Sequence, residues 1–131
     1  MLTETPSLLI TDDDRGLRES LSLAFEAKGF RPLMAENGEE ALQIVRQQTV
    51  HVVLLDMHMP RLTGLETIEQ LRRFEAPLPC ILMSAELDDQ IVQQARLAEV
   101  FSILAKPLSL RQLTDVVRSA LHRTYDWHEG Q

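Results

Sequence analysis

The chain of 131 residues has the size of one domain, and its 44% hydrophobic content supplies a core without disulfides or a structural metal. A formal net charge of −7 and a pI of about 5.0 exclude the cluster of Lys and Arg that direct nucleic-acid contact needs. The single cysteine, Cys80, excludes an intramolecular disulfide and fits a reducing compartment. No basic segment followed by an apolar stretch marks a signal peptide, and no apolar run approaches the ~18 residues that span a membrane, so a cytoplasmic protein without membrane contact is expected.

Five short apolar runs alternate with five helix-patterned segments, with no repeat, low-complexity stretch or interior linker. The first strand is predicted over 8–11 and ends in Asp12-Asp13-Asp14. A helix over 15–28 follows, its apolar stripe made by Leu17, Leu21, Ala24 and Phe25, with Gly29 placed as a C-terminal cap. The second strand, 31–35, has the weakest pattern; Asn37 and Glu40 then stand at capping-box spacing before a helix over 39–48. The run 50–55 reads as a strand buried on both faces, and it stops at a single carboxylate, Asp56, before a turn punctuated by Pro60 and Gly64. Thr63 and Glu66 cap a helix over 64–74, in which Arg72-Arg73, the only adjacent basic pair, reads as a solvated face. A strand over 79–84 takes Cys80 as a buried small hydrophobe, and a helix over 89–98 follows. The last strand, 101–105, leads into Lys106-Pro107, and Ser109 with Gln112 caps a helix over 110–123 striped by Leu110, Leu113, Val116, Val117 and Leu121. From Tyr125 to Gln131 there is no pattern, and fraying is expected; Trp127 there covers a surface or binds a partner. His51, His122 and His128 show no metal-ligand spacing and read as incidental.

Strand–helix alternation repeated five times predicts an α/β domain, a doubly wound parallel sheet with helices on both faces joined by right-handed crossovers. The C-terminal ends of the strands then lie along one edge, where open α/β sheets place their chemistry. That edge collects Asp12, Asp13 and Asp14, then Asp56, Ser84 and Lys106, from four distant places in the sequence. Asp14 reads as a helix cap, but capping does not account for Asp12 and Asp13. Clustered carboxylates repel one another and suit a hard divalent cation; Mg²⁺ fits best, because it takes one or two carboxylates and keeps several waters, and no EF-hand pattern is present for Ca²⁺. Lys106 serves either as a plain ion pair or as a clamp for an arriving anion. Ser84 offers a hydroxyl, and its neighbour Ala85 is small enough to leave room. A carboxylate, a cation site, a hydroxyl and an ammonium are the parts that phosphoryl transfer to an aspartate requires.

Asp12-Asp13, Asp56 through Pro60 with Gly64, Ser84-Ala85 and Lys106-Pro107, in that order and each at a strand end, resemble the receiver domain of two-component response regulators, chemotaxis-regulator-like. The resemblance runs from about Leu8 to Arg123 and implies a flavodoxin-like (βα)₅ fold with strand order 2-1-3-4-5: a single receiver domain over 1–131, its core about 7–123 and 124–131 a tail. It implies that Asp56 is the phosphoacceptor. The Mg²⁺ site would comprise Asp13 and Asp56, the backbone carbonyl of His58, and Asp12 through water. Ser84, with Ala85 beside it, and Lys106 would engage the phosphoryl group. The donor would be a sensor histidine kinase or a histidine phosphotransfer protein. Slow self-dephosphorylation would follow, without turnover as an enzyme. The output partner, unnamed by the sequence, would bind a face made by the fourth helix, fifth strand and fifth helix, and the chain would be a monomer or a weak dimer through that face.

Three places depart from that pattern. The family's switch aromatic, three residues before the lysine, is replaced by Ile103; Phe101, two residues earlier, falls on the same face by strand alternation. Ile103 is then either ordinary core or the cause of a smaller switch. The usual Gly-Ala before the last strand is Ala98-Glu99-Val100, which predicts a differently shaped turn. His58 and Glu86 flank the route by which water reaches the acceptor. They either set the lifetime of the phosphoryl group or are solvated loop residues.

Other readings of a strand-end aspartate are a haloacid-dehalogenase-type phosphatase, a flavin- or nucleotide-binding module, and a pseudo-receiver that serves only as an interaction module. The first needs a second Asp two residues after the nucleophile, where this chain has His58. The second needs a Gly- or Ser/Thr-rich phosphate loop where Asp12-Asp13-Asp14 stand. The complete set of acids, hydroxyl and lysine argues against the third. No room is seen after Arg123 for an output domain, so the chain is expected either to act by binding or relay, or to be a truncated regulator.

Overall fold

The computed structural model describes residues 2, 4–74 and 77–129. Along these residues the elements are β1 (Ser7–Thr11), α1 (Arg15–Ala27), β2 (Arg31–Ala35), α2 (Gly38–Gln47), β3 (Val52–Asp56), α3 (Gly64–Leu71), β4 (Cys80–Ser84), α4 (Asp89–Leu97), β5 (Ser102–Ala105) and α5 (Leu110–Tyr125). The strands form one sheet, ordered β2-β1-β3-β4-β5, with every neighbouring pair parallel. This is the expected flavodoxin-like topology.

Side-chain alternation along the strands divides the core into two layers. Leu8, Ile10, Val52, Leu54, Ile81 and Met83 face one side, where α1 brings Phe25 and α5 brings Leu113 and Val117. Leu9, Val53, Leu55, Cys80 and Leu82 face the other, where α2, α3 and α4 bring Leu42, Ile68 and Ala95. β1, β3 and β4 are buried along their whole length, which explains their unbroken apolar runs, whereas the edge strand β2 is partly exposed and correspondingly weak in pattern. Burial pushes the Cys80 thiol up to about 11, against the opposing pull of the Arg72 charge, so Cys80 is a core residue.

Helix starts follow their caps. The side chains of Asp14, Asn37, Thr63, Asp88 and Ser109 each accept a backbone N–H in the first turn of the helix that follows, and Thr63 with Glu66 completes a reciprocal capping box. Gly29, at φ +91°, ends the α1 turn in a conformation that side chains resist.

Three expectations are corrected. The fraying expected from Tyr125 onward is not seen among the described residues of the tail: α5 runs through Tyr125, Asp126 caps it at φ 54°, and Trp127 is 9% exposed with its ring 5.8 Å from Phe30. Residues 130 and 131 lie outside the described residues. The Tyr125 hydroxyl donates to the carbonyls of His51 and Pro77. His51 itself is buried and accepts the Ser7 N–H at Nδ1, a structural role.

Arg72 is not a solvated face. Its guanidinium donates to the carbonyls of Leu78, Ala98 and Glu99 at 2.7, 3.2 and 2.9 Å, tying the end of α3 to the turn after α4. Glu99 in that turn holds φ 57°, the left-handed conformation that the expected glycine would adopt without strain. Finally, Phe101 does not share a face with Ile103. Phe101 precedes the first residue of β5, where alternation does not yet hold, and it packs with the α1–α5 layer while Ile103 packs with the α2–α4 layer.

Candidate functional site

Because the strands are parallel, their C-terminal ends share one edge, and Asp12, Asp56, Ser84 and Lys106 arrive there from β1, β3, β4 and β5. Backbone pairing continues past the strands and fixes each arrival. The Asp12 N–H donates to the Ala35 carbonyl at 3.2 Å, Met57 to Met83 at 2.7 Å, and Lys106 to Ser84 at 2.8 Å. Gly64 lets the chain turn back immediately after the carboxylate: a Cβ there would lie 2.6 Å from the Asp56 carbonyl oxygen and 2.7 Å from Leu82.

Asp12 is fully buried and both of its oxygens are engaged. Oδ1 accepts the Asp14 N–H at 2.9 Å, and Oδ2 accepts from Lys106 Nζ at 2.7 Å. Asp13, beside it, is exposed, and Asp14 caps α1 by accepting from the Leu17 N–H at 3.2 Å. Asp56 is 5% exposed, with its Oδ1 3.3 Å from Lys106 Nζ. Burial, then the charge of Asp12, push the Asp56 carboxyl above the usual carboxylate range, against the charge and hydrogen bond of Lys106 and a hydrogen bond from the His58 backbone. Burial alone would lower the Lys106 ammonium, but the hydrogen bond and charge of Asp12, with Asp56 adding, hold it above its ordinary value.

Carboxylate oxygens of Asp12, Asp13 and Asp56 lie within 4.8 Å of one another. Three hard oxygen donors, two of them buried and one exposed, fit Mg²⁺, which accepts few protein ligands and retains water. Asp14, once in the same acidic run, does not join them.

The Ser84 hydroxyl is buried and donates to the Glu86 carbonyl at 2.7 Å, accepts the Glu86 N–H at 3.2 Å, and lies 3.4 Å from His58 Nε2. Thus the His58 ring and the Glu86 backbone meet at Ser84, and both residues lie on the exposed rim beside Ala85. Ile103 is half-buried on the α2–α4 side and takes no part in a polar contact at this edge. Sequence reasoning missed Arg18, whose guanidinium donates to the Asp12 carbonyl at 2.8 Å and steadies the acidic loop. Its only signal was position: an arginine in the opening turns of the helix that follows the acids.

Residues 8–118 match the response regulator receiver domain family. The chain is 37% identical over 118 residues to the response regulator MprA of Mycolicibacterium vanbaalenii, covering 89% of this chain and 51% of that protein. It is 30% identical over 114 residues to sporulation initiation phosphotransferase F of Bacillus subtilis, covering 87% of this chain and 92% of that one. The chain therefore spans about half of one relative and nearly all of the other. Among solved structures, the response regulator TrrA of Thermotoga maritima, in complex with Mg(2+)-BeF, superposes with a TM-score of 0.81 at 27% identity, over 89% of this chain and all of that one. A sheet ordered β2-β1-β3-β4-β5 with its acids, hydroxyl and ammonium at one edge, matched along most of its length, means that this chain belongs to the response regulator receiver domain family.

Proposed function

We propose that Asp56 accepts a phosphoryl group from a phosphohistidine of a sensor kinase or histidine phosphotransfer protein, and that the domain signals by the change this makes in partner binding. The observation that carries the reading is the shared ammonium. Lys106 Nζ sits 2.7 Å from Asp12 and 3.3 Å from Asp56, so a cation is already poised where a dianionic group would arrive on Asp56.

Asp56 is the nucleophile: a carboxylate oxygen attacks phosphorus, a P–O bond forms as the donor's P–N bond breaks, and the leaving imidazole regains its proton from solvent. Lys106 favours the ionised form of Asp56, against the burial and the Asp12 charge that raise its proton affinity. Lys106 then offsets charge on the phosphoryl oxygens. Asp13, Asp56, the His58 carbonyl and, through water, Asp12 would hold Mg²⁺, which when bound supplies further positive charge to those oxygens. Ser84, with Ala85 leaving room beside it, turns its hydroxyl from the Glu86 carbonyl to a phosphoryl oxygen. That exchange breaks the local contacts of Ser84 with Glu86 and His58 and passes the event to the loop entering α4. Ile103 repacks behind it without a hydroxyl to expose. The responding surface is α4–β5–α5, through which an output partner binds or a weak dimer forms. Reaction with a cellular kinase places the domain in the cytoplasm, as one receiver unit with its core over 7–123.

The reading is tested by incubating the protein with acetyl phosphate in Mg²⁺ or in chelator. One phosphoryl group per chain is expected in Mg²⁺, and none in chelator or in Asp56→Asn. Steady release of inorganic phosphate over many turnovers from a generic monoester would instead favour a phosphatase.

A further inference from the structure

We propose that the C-terminal end of α5 carries a second cation site, built by His122, Asp126 and His128 for a divalent transition-metal ion of the zinc class. The sequence shows no recognisable ligand spacing here, because the site depends on how the helix ends. His122 and Asp126 are four residues apart at the close of α5 and therefore share a face. Asp126 adopts φ 54° and ψ 34°, and its N–H donates back to the carbonyls of His122 and Leu121. This left-handed cap reverses the chain and brings His128 over His122, with ring centroids 4.5 Å apart at 60°. His128 Nε2 lies 3.4 Å from Asp126 Oδ1. One ligand atom from each of the three residues lies within 4.8 Å of the others.

The segment bearing Asp126 and His128 is held from both sides. Trp127, between them, is buried against Phe30, and Glu129 Oε1 accepts from Arg118 Nη2 at 2.7 Å. Much of the ordering entropy that a metal would otherwise have to overcome is thus already lost on folding. Two imidazoles and one carboxylate form a donor set for Zn²⁺ and its borderline neighbours, whereas the all-oxygen cluster at the opposite end of the sheet suits Mg²⁺. The negative end of the helix dipole and the net charge of −7 both favour a cation there. Three protein ligands leave a fourth position for water or for a group from another molecule. All three side chains are exposed, so an ion reaches them without opening the fold.

The test is calorimetric titration of the full chain with zinc chloride, in excess Mg²⁺ so that the acidic cluster is occupied, beside histidine imidazole NMR spectra. The expected result is one Zn²⁺ per chain, weakened about tenfold or more in His122→Ala and in His128→Gln, which both remain folded by unchanged Trp127 emission. The His122 and His128 resonances should shift, while those of His51 and His58 stay in place. Equal zinc affinity in both variants and wild type would overturn the proposal. So would shifts confined to His58 with binding lost in Asp56→Asn, or no heat of binding at about 100 µM zinc.

Discussion

The Lys106 ammonium is 2.7 Å from Asp12 and 3.3 Å from Asp56, so one cation is shared unequally by two buried carboxylates. Its nearer partner is not the residue proposed to react. Burial, then the charge of Asp12, raise the Asp56 carboxyl above the usual range, and the shared Lys106 opposes them. In Lys106→Met, Asp56 should move further upward, because the charge that favours its ionised form is gone. Phosphorylation should slow by about a hundredfold, the scale of removing one charge stabiliser from a transition state. A carboxyl NMR titration and the labelling rate check the two parts separately.

The same shift sets a pH dependence of stability. Folding raises the Asp56 pKa above its ordinary value of 3.8, so the folded state binds that proton more tightly than the unfolded chain. The resulting stability is fully present below 3.8 and is lost as pH rises through the raised value in the folded state. Asp56→Asn, which stays neutral, should therefore be more stable than wild type at neutral pH in chelator. The gap should close as pH falls below the carboxylate range, and urea unfolding across that window measures it.

The His58 ring and the Glu86 backbone touch Ser84 at the rim of the site, where the Glu86 side chain is exposed. If they set the approach of water, His58→Ala should shorten the phosphoryl lifetime by on the order of tenfold, and Glu86→Ala should change it too. Decay rates equal to wild type in both variants would show them to be solvated loop residues.

Trp127 closes the lower end of the α1–α5 layer against Phe30. Trp127→Ala should cost about 3–5 kcal/mol in urea unfolding, the range for losing a buried ring, and leave phosphorylation of Asp56 intact. A tail that frayed would give no measurable cost.

The strand-end residues were legible in the sequence because parallel strands fix which end each one occupies. Asp12, Asp56, Ser84 and Lys106 needed only the order of elements to be brought together. What was not legible depended on single backbone turns and long side chains. Asp126 in a left-handed cap redirects the tail, and no periodicity announces it. The charge of Arg72 and its neighbour Arg73 suggest a solvated face, yet its reach across to Ala98 and Glu99 is a tertiary fact. The same clamp holds the carbonyl of Glu99, which adopts the left-handed conformation expected of glycine. Phe101 stands one residue before the start of β5, where strand alternation does not govern its side chain.

Formation of an acyl phosphate on Asp56 is tested most directly by borohydride reduction of the phosphorylated protein, which converts an aspartyl phosphate to homoserine. Peptide mass mapping should find homoserine at position 56 and nowhere else. Homoserine at Asp12 or Asp13, or a reduction-resistant phosphoester on Ser84, would contradict it.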